Sequence, residues 1–385
     1  MSFSSLELPK YLLKALEAEN YAKPYPIQEM AIPAVLAKKD ILGIAQTGSG
    51  KTASYVLPIL VNLDGIETPS DLHVSTLVLV PTRELAIQVA DVFTKFADVM
   101  PYRCKTMAIY GGVAADSQMY GLRDVSILVA TPGRLLDLVE SNSVELSAVS
   151  TLVLDEADKM LNLGFKEEMD EILSLLPEKR QNLLFSATLS PHIENVRNVL
   201  LNDPLVIKIE EKEDDIQLIN QTAYSVEDEQ KGPLLRYLIR EKRMDQVLIF
   251  TSTVHSANMV AQKLNQNHID ADAIHGKRTQ KDRMAALRDF KKGRLRVLVA
   301  TDLLSRGIDI QFLPFVINYE LPRSPKDFVH RIGRTGRAEN PGEALSFISE
   351  DAEHHFKVIQ KKMKKFVDMI DNEEVSKLIT PPSKK

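Results

Sequence analysis

The sequence predicts an α/β protein of two tandem domains, each a mainly parallel β-sheet flanked by helices. Three observations carry this prediction. Short apolar, β-branched runs alternate with helical patterns along nearly the whole chain; the alternation is broken once by a charged segment; and a glycine-rich turn directly follows the first apolar run and opens a helix. Runs of three to six residues bounded by turn or polar residues suit strands buried on both faces, as in parallel sheets.

The first series of predicted strands is Ile41–Ala45, Thr76–Val80, Thr106–Ile109, Ser126–Ala130, Thr151–Leu154 and Asn182–Phe185, with helical patterns such as Arg83–Val99 and Gly133–Glu140 between them. A second series follows at Gln246–Thr251, Asp272–Ile274, Val297–Ala300, Phe315–Tyr319 and Glu343–Phe347. Between the two lies Glu210-Glu211-Lys212-Glu213-Asp214-Asp215, too charged to bury and rich in turn formers, which reads as a linker. The expected organisation is therefore a first domain at 1–208, a linker at 209–219, a second domain at 220–372 and a frayed tail at 373–385 ending in Pro-Pro-Ser-Lys-Lys. The two series resemble each other in strand–helix rhythm only.

The 385 residues are enough for about two or three such domains, and the 44% hydrophobic content is ordinary for a globular chain. Without tryptophan the cores should be mostly aliphatic. The single cysteine, Cys104, excludes an intramolecular disulfide framework and a cysteine-rich zinc module. No apolar run approaches the roughly 20 residues of a membrane span, and the first residues lack the apolar stretch of a signal peptide, so a soluble cytoplasmic protein is expected. The net charge of −5 conceals an asymmetry. Residues 1–208 hold 18 Lys/Arg against 26 Asp/Glu, whereas residues 220–385 hold 29 against 22, a hint of a polyanion near the second half.

The glycine-rich turn is Ala45-Gln46-Thr47-Gly48-Ser49-Gly50-Lys51-Thr52. Between a strand and a helix such a loop curls backbone N–H groups around phosphates, and the helix N-terminus adds positive potential. Lys51 would reach the β- and γ-phosphates, and Thr52 would face Mg²⁺. Ala45 stands where the general pattern has its first glycine, and a chance glycine-rich turn is the competing explanation. The second half of the site is Val153-Leu154-Asp155-Glu156-Ala157-Asp158, an apolar strand ending in acids. Carboxylates there sit at the C-terminal sheet edge where ligands of parallel sheets bind. Asp155 would hold the cation and Glu156 would orient or deprotonate an attacking water. An acidic strand end alone is usually a helix cap; paired with the loop, it points to nucleoside triphosphate hydrolysis.

In the second half, His330-Arg331-Ile332-Gly333-Arg334-Thr335-Gly336-Arg337 places three arginines and two glycines around a predicted helix start. Such a segment either supplies arginine fingers to a transferring phosphoryl group or contacts nucleic-acid phosphates without a catalytic role.

At this point the ordered set of motifs, from about Phe3 to Phe347, closely resembles the DEAD-box RNA helicases of helicase superfamily 2, and among them the compact bacterial members. The resemblance is carried by Tyr21 with Pro26-Ile27-Gln28, the Ala45–Thr52 loop, Pro81-Thr82-Arg83-Glu84-Leu85, Gly111-Gly112, Thr131-Pro132-Gly133-Arg134, Asp155–Asp158 and Ser186-Ala187-Thr188. It continues through Phe250-Thr251-Ser252, Gln280 with Arg283, Ala300-Thr301-Asp302 with Arg306-Gly307-Ile308-Asp309, and His330–Arg337. It implies two RecA-like domains that bind ATP and single-stranded RNA across the cleft between them, hydrolyse ATP, and locally separate short duplexes or remodel RNA–protein complexes.

The same resemblance implies roles for individual residues. Gln28 would read the adenine edge and Tyr21 would stack on the base; Thr47, Gly48, Ser49, Gly50, Lys51 and Thr52 would cradle the phosphates, and Asp309 would contact the ribose. Lys51, Asp155, Glu156, Arg334 and Arg337 form the implied catalytic set, with Thr52 and Asp155 toward Mg²⁺. Pro81, Arg83, Gly111, Gly112, Thr131, Gly133, Arg134, Gln280, Arg283 and Thr301 would face RNA. Small residues allow close approach to phosphates and arginines neutralise them, without reading sequence. Ser186 and Thr188 would couple the two sites, or equally could form a strand-to-turn cap.

Three departures from the family pattern stand out. Asn20 replaces the usual glycine before the aromatic, although asparagine tolerates positive φ. Tyr25 replaces a threonine before Pro26 and could crowd the adenine pocket. Asn162-Leu163-Gly164-Phe165 varies the stretch after Asp158. Identical motifs would serve an RNA clamp whose hydrolysis times release, whereas a DNA translocase is disfavoured. Lys361-Lys362-Met363-Lys364-Lys365 lies in a predicted helix after the last strand, as phosphate attraction or as a solvated face. Target choice would depend on protein partners in RNA assembly or decay, or be loose.

Overall fold

The structure, a computed structural model, describes residues 2–46, 48–65, 72–209, 219–301, 310, 313–336 and 342–379. It divides into two units, Met1–Glu210 and Glu211–Lys385. The charged segment 210–215 lies outside the described residues.

The first unit is built on β1 (Ile41–Ile44), β2 (Thr76–Leu79), β3 (Thr106–Ile109), β4 (Ile127–Ala130), β5 (Thr151–Leu154), β6 (Gln181–Ser186) and β7 (Leu205–Lys208). They form one all-parallel sheet in the order β3-β4-β2-β5-β6-β1-β7. Six of the seven match the predicted runs. Because side chains alternate across a strand, neighbours in β1 serve opposite faces: Ile41 joins one apolar cluster and Leu42 the other. β7 had no sequence signal, because it lies on the sheet margin with only Ile207 of its four residues buried.

The second unit contains β8 (Ile219–Ser225), β9 (Val247–Thr251), β10 (Ala271–Ile274), β11 (Val297–Thr301), β12 (Phe315–Asn318), β13 (Gly342–Ile348) and β14 (Met369–Ile370). Its parallel sheet runs β10-β11-β9-β12-β13-β8-β14. Position for position this is the strand order of the first sheet, so the two halves share topology as well as rhythm.

Two expectations are corrected here. The tail expected from Glu373 instead begins with a helix, Asn372–Ile379, anchored by the fully buried Val375; residues 380–385 lie outside the described residues. The glycine-rich arginine segment does not open a helix. His330-Arg331-Ile332 is the last turn of the helix Pro325–Ile332 and Gly333 is its C-cap. Ser324 is the real start, its hydroxyl accepting from Asp327 N with Pro325 at the first helical position.

Candidate active site and RNA-facing edge

The nucleotide candidates gather where three adjacent strands of the first sheet end. β1 runs into the glycine-rich loop, β5 into Asp155, and β6 ends at Ser186. Gly50 caps the helix Lys51–Asn62 with φ 88°, a left-handed conformation open to glycine. A Cβ there would also fall 2.5 Å from Gln28 Nε2 and 2.8 Å from Tyr25 Cδ2, so this position excludes side chains twice over. Lys51, buried at the first helical position, donates from Nζ to the Ala45 carbonyl at 2.8 Å. Ser49 Oγ donates to the Gln46 carbonyl at 2.8 Å. Ala45 itself extends the strand, its N–H reaching the Ser186 carbonyl at 3.0 Å.

Gln28 ties this loop to the helix Pro26–Leu36. Its Oε1 accepts from Tyr25 N at 2.9 Å, and its Nε2 donates to the Gly50 carbonyl at 3.1 Å. Tyr25, a departure from the family pattern, lies against Gly50 with its side chain half in solvent. Asn20 takes φ 61°, the conformation asparagine tolerates in a glycine's place. Tyr21 packs edge-on against Phe3 and Phe96, at centroid distances of 6.3 and 5.9 Å.

Asp155 is fully enclosed. Its Oδ2 accepts from Tyr55 Oη at 2.9 Å and its Oδ1 from Glu156 N at 2.8 Å. Burial pushes its carboxyl above the usual 3.8, opposed by the Lys51 ammonium and reinforced by the Glu156 charge. The Tyr55 phenol is pushed well up by the same burial and then by Asp155. Glu156 sits in the left-handed region at φ 53°, an uncommon conformation for a non-glycine residue, with Oε1 paired to Lys159 Nζ at 2.7 Å. Two consecutive buried carboxylates beside a threonine hydroxyl, Thr52, that also contacts Tyr55 are a hard-oxygen donor set. They fit a small divalent cation, whose charge would favour ionising Asp155.

Asp158 extends the site sideways. Its Oδ2 accepts from Thr188 Oγ1 at 3.1 Å, while Ser186 Oγ donates to the Thr188 carbonyl at 2.8 Å. The Ser186–Thr188 turn is thus both a strand-end cap and a partner of the acidic strand end.

The RNA candidates of the first unit lie along the other half of the same sheet edge, beyond β2, β4 and β3. Thr82 caps the helix Arg83–Ala97 by accepting from Leu85 N at 3.3 Å, which sets Arg83 at its first position next to buried Pro81. The Arg83 guanidinium lies over Gly112, where a Cβ would fall 1.9 Å from Nη1. Gly111 has its nearest such neighbour, Arg83 Nη2, at 3.9 Å. Thr131 caps the helix Pro132–Glu140, and a Cβ on Gly133 would meet open space. Arg134 faces inward instead: Nη2 donates to the Val113 carbonyl at 2.8 Å, Nη1 to Gln118 Oε1 at 3.2 Å, and Nε to Asp137 Oδ2 at 3.3 Å. It braces the Gly111-Gly112 loop. Tyr55, Gln118 and Val113 escaped sequence reasoning because their roles depend on contacts from distant strands.

In the second unit, Thr301 ends β11, and Gln280 and Arg283 open the helix after the neighbouring β10. The Gln280 amide is about nine-tenths buried, and neither Oε1 nor Nε2 is hydrogen-bonded among the described residues. Such a group fits a ligand contact. Arg331 is a strut, donating from Nη1 to Asn318 Oδ1 at 3.2 Å and to the Glu320 carbonyl at 2.6 Å, over the Phe250 ring. Arg334 is buried within the unit, with its N–H on the Arg331 carbonyl at 3.2 Å. Thr47, Asp309 and Arg337 lie outside the described residues. No group of three or more His, Cys, Asp or Glu poised to hold a metal occurs among the described residues, and none of their helices is long and apolar enough to cross a membrane.

Comparison with known proteins matches residues 25–196 to the DEAD/DEAH box helicase family and residues 230–339 to the helicase conserved C-terminal domain. The chain is 37% identical over 369 residues to the DEAD-box ATP-dependent RNA helicase CshA of Bacillus subtilis, covering 96% of this chain and 74% of the relative. It is 39% identical over 362 residues to ATP-dependent RNA helicase CshA of Limosilactobacillus reuteri, covering 94% and 72%. Among solved structures, S. cerevisiae Dbp5 bound to RNA and ADP BeF3 superposes with a TM-score of 0.82 at 28% identity, covering 98% of this chain and all of that one. A DEAD box protein from the hyperthermophile Methanococcus jannaschii is 36% identical with a TM-score of 0.56, covering 96% and 99%.

Proposed function

The chain belongs to the DEAD-box family of ATP-dependent RNA helicases, and from that premise we propose how its residues divide the work. As a member it hydrolyses ATP and acts on RNA. One observation carries the division of labour: the first sheet's C-terminal edge splits into two contiguous halves. The nucleotide set ends β1, β5 and β6, and the RNA set follows β2, β4 and β3, with β2 and β5 adjacent.

Gly48, Ser49, Gly50 and Thr52 cradle the phosphates with Thr47, and Lys51 exchanges the Ala45 carbonyl for a phosphate oxygen. Thr52 and Asp155 hold Mg²⁺, which when bound neutralises charge on the phosphates. Glu156 orients or deprotonates the attacking water. Gln28 and Tyr21 receive the adenine, and Asp309 the ribose. Arg334 and Arg337, from the second unit, supply positive charge to the γ-phosphoryl group as it leaves. Arg83, Gly111, Gly112, Thr131, Gly133, Gln280, Arg283 and Thr301 hold the RNA backbone beside Pro81, and Arg134 positions that loop rather than touching the strand. Ser186 and Thr188, the latter held by Asp158, couple ATP turnover to RNA binding. RNA is taken without sequence preference, protein partners choose the target, and the cytoplasm is the working compartment.

Steady-state ATP hydrolysis with no nucleic acid, with single-stranded RNA and with matched DNA tests this. RNA should stimulate turnover and DNA should not, because 2′-hydroxyl contacts distinguish them. Glu156→Gln should reduce RNA-stimulated kcat by roughly 10²- to 10⁴-fold, the usual worth of a general base. Intact turnover in that variant would remove Glu156 from its assigned role.

A further inference from the structure

The lysine run near the end of the second unit is not absorbed by any helicase motif, and the structure gives it a defined shape. The helix Glu353–Met363 ends in a turn at Lys364, whose φ of 53° is left-handed in a residue with no glycine-like freedom. The turn is pinned from both sides. Lys365 N donates to the Gln360 carbonyl at 3.3 Å, Val367 N to Gln360 Oε1 at 2.9 Å, and Lys365 Nζ to the Ile219 carbonyl at 3.1 Å. Lys365 and Val367 are thereby half-buried, and Phe366 between them is thrown outward, 88% exposed. Lys357, Lys361, Lys362 and Lys364 are exposed along the helix and turn that lead to it; Lys357 Nζ lies 3.8 Å from Glu353 Oε2, and between Lys357 and Met369 the one acid is Asp368.

A lone surface phenylalanine needs no explanation. A rigidly presented one at the end of a helix and turn carrying four exposed lysines has the chemistry of a single-stranded nucleic-acid contact: a ring to stack on a base, and cations for the flanking phosphates. It is also remote from the residues of the same unit already assigned to RNA. All strands of this sheet are parallel, Thr301 closes β11 at its C-terminal end, and Gln280 follows β10 at the opposite margin. Phe366 precedes β14, and Lys365 is bonded to Ile219, the first residue of β8. The patch therefore lies at the other end and the other edge of the sheet.

We propose that Phe366, with Lys357, Lys361, Lys362 and Lys364, forms a second contact for single-stranded RNA, holding sequence that flanks the segment in the helicase site. The inference rests on the RNA helicase reading. It adds a tether that raises the local concentration of one RNA at the main site without altering the chemistry there.

Fluorescence anisotropy with the full chain tests it, using labelled oligouridylates of about 10 and about 40 nucleotides, since one such site spans roughly 4–16 nucleotides. Phe366→Ala should weaken the long RNA about fivefold or more, the lower end of what one stacked base contributes. Phe366→Trp should retain it. Replacing Lys361 and Lys362 together by Ala should reduce the slope of log affinity against log salt by about 1.4 for the long RNA. Affinity for the short RNA, and ATP turnover saturated with it, should be unchanged in all three. Equal affinities of wild type and Phe366→Ala for the long RNA would overturn the proposal. So would a Phe366-dependent affinity for anionic phospholipid vesicles with RNA binding unmoved, which would assign the patch to a membrane surface. Wild type that fails to hydrolyse ATP with the short RNA would instead overturn the helicase reading beneath it.

Discussion

At the scale of single residues, Gly111 and Gly112 read identically in sequence but sit in different surroundings. Gly112 has φ 79° and the Arg83 guanidinium where its Cβ would go, whereas Gly111 has its nearest neighbour at 3.9 Å. Gly112→Ala should therefore displace Arg83 and lower the RNA-stimulated kcat/KM for ATP roughly tenfold or more, as expected for loss of a hydrogen bond to a charged group worth about 1.5–3 kcal/mol. Gly111→Ala should do far less, and equal effects would show that Arg83 is not the affected group. Asp155 gives a second test. Its carboxyl is raised in the folded protein, first by burial and then by Glu156, so its ionisation opposes folding. The sign follows: stability is full below the ordinary value near 3.8 and falls as pH rises through the raised folded value. Without nucleotide or divalent cation, Asp155→Asn should melt higher than wild type at neutral pH, since the amide still meets the Tyr55 hydroxyl. The gap should close as the buffer is taken below pH 3.8. A gap independent of pH would point to packing instead.

At the scale of elements, the buried strands were legible because apolar runs on a doubly covered sheet carry their own signal. β7, β8 and β14 were not: β7 and β14 sit at or near an edge, and β8 is mostly polar, with only Ile219, Ala223 and Tyr224 buried. The helix around His330 was misplaced because two glycines mark a boundary without saying which end it is. Invisible, too, was how the outer edges are closed. Beside β3, Gln118 Oε1 accepts from Tyr110 N and Nε2 donates to the Tyr110 carbonyl, both at 3.2 Å, as a neighbouring strand would. On β10, the matching edge strand of the second sheet, Asn265 does the same to Ala271 at the strand's start, at 3.0 and 2.7 Å. Side-chain amides thus stand in for missing strands and blunt edge-to-edge pairing. Gln118 also holds Arg134, so Gln118→Ala should cost about 1–3 kcal/mol in urea unfolding through stranded polar groups. Asn265→Ala should destabilise the second unit without touching the Gly111-Gly112 loop, and so leave RNA-stimulated turnover intact in the folded protein.

At the scale of the whole molecule, the chain is one strand order used twice with opposite electrostatics. The first copy is acidic and carries most of the residues proposed for ATP, whereas the second is basic and carries Gln280, Arg283 and the arginines after β12. Among the described residues each copy has its own core: two apolar clusters lie wholly within Met1–Glu210 and three wholly within Glu211–Lys385. A unit with its own core can unfold on its own, and a ligand stabilises only the folded state that binds it. Of the described residues proposed above to meet the ATP phosphates or the cation, all but Arg334 belong to the first copy. In the absence of RNA, differential scanning calorimetry should accordingly resolve two transitions, of which Mg²⁺ with a non-hydrolysable ATP analogue raises only one. At about 100 times its dissociation constant the analogue should add about 2.7 kcal/mol to that unit. Lys51→Ala should abolish the shift while leaving the other transition where it was. A single transition moved as a whole by nucleotide would mean that the two copies are coupled before RNA arrives, and that the arginines of the second already reach the phosphates of the first.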